Sequence, residues 1–140
     1  MPRVCRVMRV DGNRPRIGSS ARTLGVRVPP DKHADIPVQP DGTVQPGRGG
    51  MSVAPSWGDL PLHRIPERLR KLVPAAVGNN KDACWRMGEG PFERADVAAG
   101  LVLRPESSRH GLVEPAVTAA VEQYQRDLWA TRDQWVIDEE

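Results

Sequence analysis

Apolar residues dominate Val4-Cys5-Arg6-Val7-Met8-Arg9-Val10, a run bounded by a turn signal, which predicts a first strand. Val4, Arg6, Met8 and Val10 share one of its faces, and Cys5, Val7 and Arg9 share the other. Asp11-Gly12-Asn13 reads as a turn. Thr23-Leu24-Gly25-Val26-Arg27-Val28 is a second strand expectation, closed by Pro29-Pro30. From about residue 29 to 50 the pattern is lost in a Pro/Gly-rich loop. Its local features are the extended piece Ile36-Pro37-Val38 and a turn at Pro40-Asp41-Gly42. Loops of this length are usually functional or mobile.

Periodicity returns with Met51-Ser52-Val53, a short strand bounded by Pro55, after which Trp57 and Leu60 are expected to anchor the chain on the core. Ile65, Leu69 and Leu72 repeat at helical spacing, so a short helix is expected from Ile65 to Leu72. Pro66 would sit in its first turn, Arg64, Arg68, Arg70 and Lys71 on its solvated face, and Pro74 at its end. Asp82-Ala83-Cys84-Trp85-Arg86-Met87 is a strand, and Val97 to Arg104 is read as one core strand, with Gly100 marking a bulge or a close backbone approach. His110-Gly111-Leu112-Val113-Glu114-Pro115 follows as a short strand. An amphipathic helix is expected from about Val117 to Arg132, with Val117, Val121, Tyr124 and Leu128 as its apolar stripe. Gln134-Trp135-Val136-Ile137 closes the pattern as a last strand, and Asp138-Glu139-Glu140 reads as an exposed acidic tail.

Composition narrows the class. The chain has 140 residues, enough for one domain over residues 1–140, and its 14 Pro and 13 Gly suit a loop-rich α+β or mainly β fold better than a helical bundle. The net charge of +2 gives no nucleic-acid signal, because such binding needs a concentrated basic face. Charge is uneven, however. Residues 1–32 hold eight basic against two acidic residues, a net +6, and residues 111–140 hold two basic against seven acidic, a net −5. The two ends either complement each other across the surface or offer arginines to an anionic ligand such as a pyrophosphate.

Cys5 and Cys84 have no zinc-like spacing, no metal site is expected, and two cysteines fit a reduced, cytoplasmic compartment, with a single bridge left open. No apolar run approaches a membrane span, and the first residues lack the apolar core of a signal peptide, so any secretion would use a route that does not read one. The four tryptophans read as core anchors in a chain with one Phe and one Tyr. His33 and His63 read as ordinary surface histidines.

Three positions carry candidate chemistry. Arg6 lies among apolar neighbours on its strand face, so it must find an anion or hydrogen-bond acceptors. Pro46-Gly47-Arg48-Gly49-Gly50 is a flexible turn that delivers Ser52, a small hydroxyl, onto a strand; it has neither the lysine of a P-loop nor GxGxxG spacing. His110 begins a strand.

Taken in order, Val4-Cys5-Arg6-Val7, Gly49-Gly50-Met51-Ser52-Val53 and His110-Gly111-Leu112-Val113-Glu114-Pro115 make the chain resemble the ADP-ribosyltransferase-like toxins of the Tse type, cytotoxic effectors of bacterial type VI secretion systems. The matches span roughly residues 4–132. The resemblance implies an α+β, ADP-ribosyltransferase-like fold: two packed, mainly antiparallel sheets with a few helices around a central cleft that takes NAD. It implies NAD-dependent ADP-ribosyl transfer, or NAD hydrolysis, in the cytosol of a target cell. Arg6, Gly49, Gly50 and Ser52 would then bind NAD, and Ser52, His110 and Glu114 would be the catalytic candidates. It also implies an immunity protein that covers the cleft and an acceptor in the target cell. Two departures stand out: Met51 occupies a position where the family often has a second hydroxyl, and Cys5 one where an aromatic is usual. No motif fixes the late glutamate of the catalytic members, which leaves a non-catalytic interaction module on the same scaffold as the alternative.

Overall fold

A computed structural model describes residues 1–139. The architecture is α+β, with mostly antiparallel sheets and little helix. The first sheet has the order β10-β5-β1-β2, built from β1 (Val4–Asp11), β2 (Arg14–Pro15), β5 (Asp82–Met87) and β10 (Val136–Ile137). The second has the order β4-β8-β7-β6, built from β4 (Met51–Val53), β6 (Ala95–Ala98), β7 (Leu101–Pro105) and β8 (Gly111–Pro115). A two-stranded ribbon pairs β3 (Thr43–Val44) with β9 (Ala119–Ala120), and the single α-helix among the described residues is α1 (Val121–Trp129).

β1 is central because both of its faces are covered. Val4 and Met8 enter the main core with Trp85, Leu103, Val113, Tyr124 and Leu128. Cys5 and Val7 enter a smaller core with Cys84, Leu60, Ile65 and Ala76. The smaller core lies under residues 56–78, a cap with little regular structure. The two sheets are joined where Cys5 and Ala54 exchange backbone hydrogen bonds of 2.7 and 2.9 Å. Beyond that bridge β1 and β4 diverge and leave a wedge.

Several expectations hold. β1, its turn at Gly12, β4, β5 and β8 fall where the residue pattern places them. Trp85 and Trp135 are buried, Trp57 and Trp129 are packed against the cores, and both cysteines are free. The opposite charges of the two ends do meet, at Arg14–Asp133 (2.9 Å), although Arg132–Asp11 (2.6 Å) pairs them with the signs exchanged.

Other expectations are corrected. Residues 23–28 form no strand, because a side chain takes the place of a neighbouring strand: the Gln125 amide accepts from Val26 N–H at 2.9 Å and donates to Val26 C=O at 3.0 Å. The Ile65–Leu72 helix reduces to a single 3-10 turn at Glu67–Leu69. Glu67 N–H is taken by Gly78 C=O, and Leu72 is 57% exposed, so the third residue of the stripe buries little. Val97–Arg104 is a hairpin rather than one strand, since Gly100 takes a φ of +77° and turns β6 into β7. The amphipathic helix starts at Val121, not Val117, because Ala119 and Ala120 are committed to β3; Val117 is 68% exposed. In the acidic tail, Asp138 pairs with Arg86 and Glu139 with Arg68, so these two are tied down; Glu140 lies outside the described residues.

Candidate functional site

The wedge between β1 and β4, roofed by the cap, holds a cavity of about 360 Å³. Arg6, Ser52 and His110, three positions far apart in sequence, all line it. Their convergence follows from the topology. Arg6 comes one residue after the Cys5–Ala54 bridge, Ser52 two residues before it, and His110 enters β8, whose Leu112 is the register partner of Ser52.

Arg6 is 6% exposed and has no carboxylate partner among the described residues. Its Nη1 donates to Ser52 C=O at 2.9 Å, its Nε to Thr23 C=O at 3.2 Å, and its Nη2 to Ser20 and Gly25 C=O at 3.4 Å each. Four carbonyl dipoles thus stand in for a counter-ion, and burial holds the guanidinium down to about 10, with nearby Asp35 acting against the shift. The arginine fills the gap where the two strands stop pairing. Most of its donors are spent on the fold.

His110 stands at the rim, with its side chain 46% exposed. Its Nδ1 lies 2.8 Å from Glu106 Oε1, at the tip of the β7–β8 hairpin. A proton on Nδ1 directed at that carboxylate leaves Nε2 for a ligand. Ser52 is half-buried, and it is the Ser52 carbonyl, rather than the hydroxyl, that bonds Arg6.

Glu114 is placed elsewhere. It is 0% exposed, does not line the cavity, and receives Gly47 N–H at 2.7 Å, Arg104 Nε at 2.9 Å and Arg94 Nη2 at 3.4 Å. That network clips the Gly-rich loop to the second sheet. Gly49 and Gly50 do not line the cavity either. A Cβ on Gly49 would lie 2.3 Å from Asp35 O, and one on Gly50 2.5 Å from Val113 O, so the close approach there is of backbone to backbone. Gly50 N–H donates to Asp35 C=O at 3.0 Å.

The cavity also gathers residues that the sequence pattern assigns to other roles. Arg27 holds Asp35 through two side-chain bonds of 2.9 and 3.3 Å, and Arg109 holds Asp59 at 2.9 Å between the hairpin tip and the cap. His63 and Arg64 enter from the cap. Arg64, by its spacing a solvated helix residue, has no hydrogen-bond or ion-pair partner for its guanidinium among the described residues. Burial lowers its pKa, and the positive field of Arg22 and Arg27 lowers it further. With the histidines left aside, four arginines against two aspartates give the walls two positive charges in excess. Nothing local marks Arg27, Asp35, Asp59 or Arg64; the residues two away from Arg27 on its own face would be Gly25 and Pro29, which give no apolar signal.

Comparison with protein-family models, curated proteins and solved structures gave no match. The candidate residues therefore stand on their own geometry.

Proposed function

We propose that this chain is a cytotoxic effector of the ADP-ribosyltransferase-like kind, which takes NAD into the cavity between its two sheets and acts in the cytosol of a target cell. The observation that carries the reading is the convergence of Arg6, Ser52 and His110 on one cavity with an excess of positive charge. Its volume lies within the ~300–1,000 Å³ usual for small-molecule sites. As substrate, NAD supplies a nicotinamide leaving group: the bond from ribose C1′ to the ring nitrogen breaks, and an oxygen or nitrogen of the acceptor, or of water, bonds to C1′ and releases a proton. The roles of the chain's own groups follow from their positions. Arg6 holds the wedge open and presents a positive field, the Ser52 hydroxyl faces a ribose, and His110, steadied by Glu106, offers Nε2 to the incoming nucleophile. An immunity protein would neutralise the effector by covering the same opening.

One observation favours the second reading, a non-catalytic interaction module. Both carboxylates that line the cavity are held by arginines, and Glu114 is buried behind the Gly-rich loop, so among the described residues no free carboxylate is aimed at the sugar. Inducible cytosolic expression in bacteria separates the two. The toxin reading expects growth arrest by the wild type, relieved by Ser52→Ala and by His110→Ala at matched soluble levels, with loss of cellular NAD or labelling of a target. Normal growth with soluble wild-type protein overturns it in favour of the module.

A further inference from the structure

The cavity has one uncommitted cation among the described residues, on the cap wall, and committed cations elsewhere. Arg6 spends its donors on four carbonyls, Arg27 is tied to Asp35, and Arg109 is tied to Asp59. Arg64 has no such commitment, yet it lines the same cavity, close enough to Arg27 and Arg6 for their charges to be felt. Asp82 and Asp35 offset part of the field of Arg22 and Arg27, but neither pairs with Arg64, so its guanidinium keeps its full hydrogen-bonding capacity for a ligand. A dianion fits that capacity, because the walls carry two positive charges in excess and a guanidinium matches two phosphate oxygens in a bidentate pair.

We propose that Arg64, with His63 near it on the cap and the charge of Arg27 within reach, forms a diphosphate subsite, and that this subsite rather than Arg6 takes the anionic part of the ligand. The inference deepens the NAD reading by assigning the diphosphate, but it also stands if the true ligand is another diphosphate, free or esterified. The cap location gives the subsite a second property. Arg64 approaches the bound anion with the turns of residues 56–78, so the ligand draws the cap onto the sheets. The Arg109–Asp59 pair, which spans from the hairpin tip to the cap, already holds it on the side of His110.

Titration calorimetry on the full chain tests this with three probes: inorganic pyrophosphate, ADP-ribose and NAD. Wild type is expected to bind pyrophosphate and ADP-ribose. Arg64→Ala should weaken both about tenfold or more, as expected for a lost charge-assisted pair, and Arg64→Lys should recover part of the loss. The Arg64 guanidinium makes no hydrogen bond or ion pair among the described residues, so the melting temperature of the variant should stay close to wild type and the loss be one of binding. Failure of wild type to bind pyrophosphate and ADP-ribose, or unchanged affinity in Arg64→Ala, overturns the subsite. The two proposals fail separately. Pyrophosphate binding that needs Arg64, without NAD binding or turnover, upholds the subsite and sinks the NAD reading; NAD binding indifferent to Arg64 does the reverse.

Discussion

The two walls of the cavity are built on opposite principles. On the sheet wall the buried polar groups are committed, and the Ser52 hydroxyl and His110 Nε2 at its edge are left over. Arg6 bonds four carbonyls there, Tyr124 O–H donates to Val113 C=O while accepting from Met51 N–H, and Glu114 collects three donors behind it. The cap wall is built from short turns over a small core and carries Arg64, whose side-chain donors find no acceptor among the described residues. Donors and acceptors already spent on the protein hold a shape, whereas unspent ones are what a ligand can use. An arginine is therefore not a binding residue because it lines a cavity. Its remaining hydrogen-bond capacity decides.

The largest expected effect tests that division directly. Arg6→Ala strips the partners from four carbonyls in the wedge and should cost about 3–4 kcal/mol in urea denaturation. Arg64→Ala, the matching change on the other wall, should stay within about 0.5 kcal/mol. Equal costs would break the comparison. Ile65→Ala comes next. Ile65 is fully buried on the inner side of the cap, and its truncation should cost about 2–3 kcal/mol while speeding iodoacetamide labelling of Cys5 and Cys84, which share that core. A stability loss without faster labelling would mean that the cap does not shield the thiols.

A last effect concerns pH rather than substitution. Desolvation pushes both thiols up to about 12, with Asp138 adding to the shift at Cys5 and Glu139 at Cys84. In the unfolded chain they ionise near 9, while the native thiols stay protonated, so above pH 9 the unfolded state holds fewer protons and stability falls as pH rises towards 12. The slope should reach about 1.4 kcal/mol per pH unit for each thiol, and Cys5→Ser should remove one share of it. A flat profile between about pH 9 and 10.5 would refute the burial of these groups in the smaller core.

Apolar-rich strands bounded by turn signals are legible in the sequence alone. Asp82–Met87 matches residue for residue, and the two faces of β1 read correctly because each meets its own apolar partners. The failures occur where a long-range partner overrules local pattern. Val26 has strand-forming neighbours but is satisfied by Gln125, 99 residues away, and the Ile65–Leu72 periodicity yields to the tie between Glu67 and Gly78. At the site, Arg6, Ser52 and His110 are legible as residues that one cavity unites. Glu114 escapes a sequence reading because strand phase gives a face of the sheet but not a position along it. Arg64 is hidden because helical periodicity sends it to solvent, and only the collapse of that helix turns it inward.

The Cys5–Ala54 bridge gives the molecule a rivet. Among the described residues, these two amides make the backbone bonds between β1 and the segment that continues β4, at the apex of the wedge. In hydrogen–deuterium exchange they should behave as a pair, taking up deuterium together, and any ligand that fastens the cap to the sheets should slow both while leaving the central β1–β5 ladder unchanged. Two protons on one hinge thus give a readout of how often the cavity breathes.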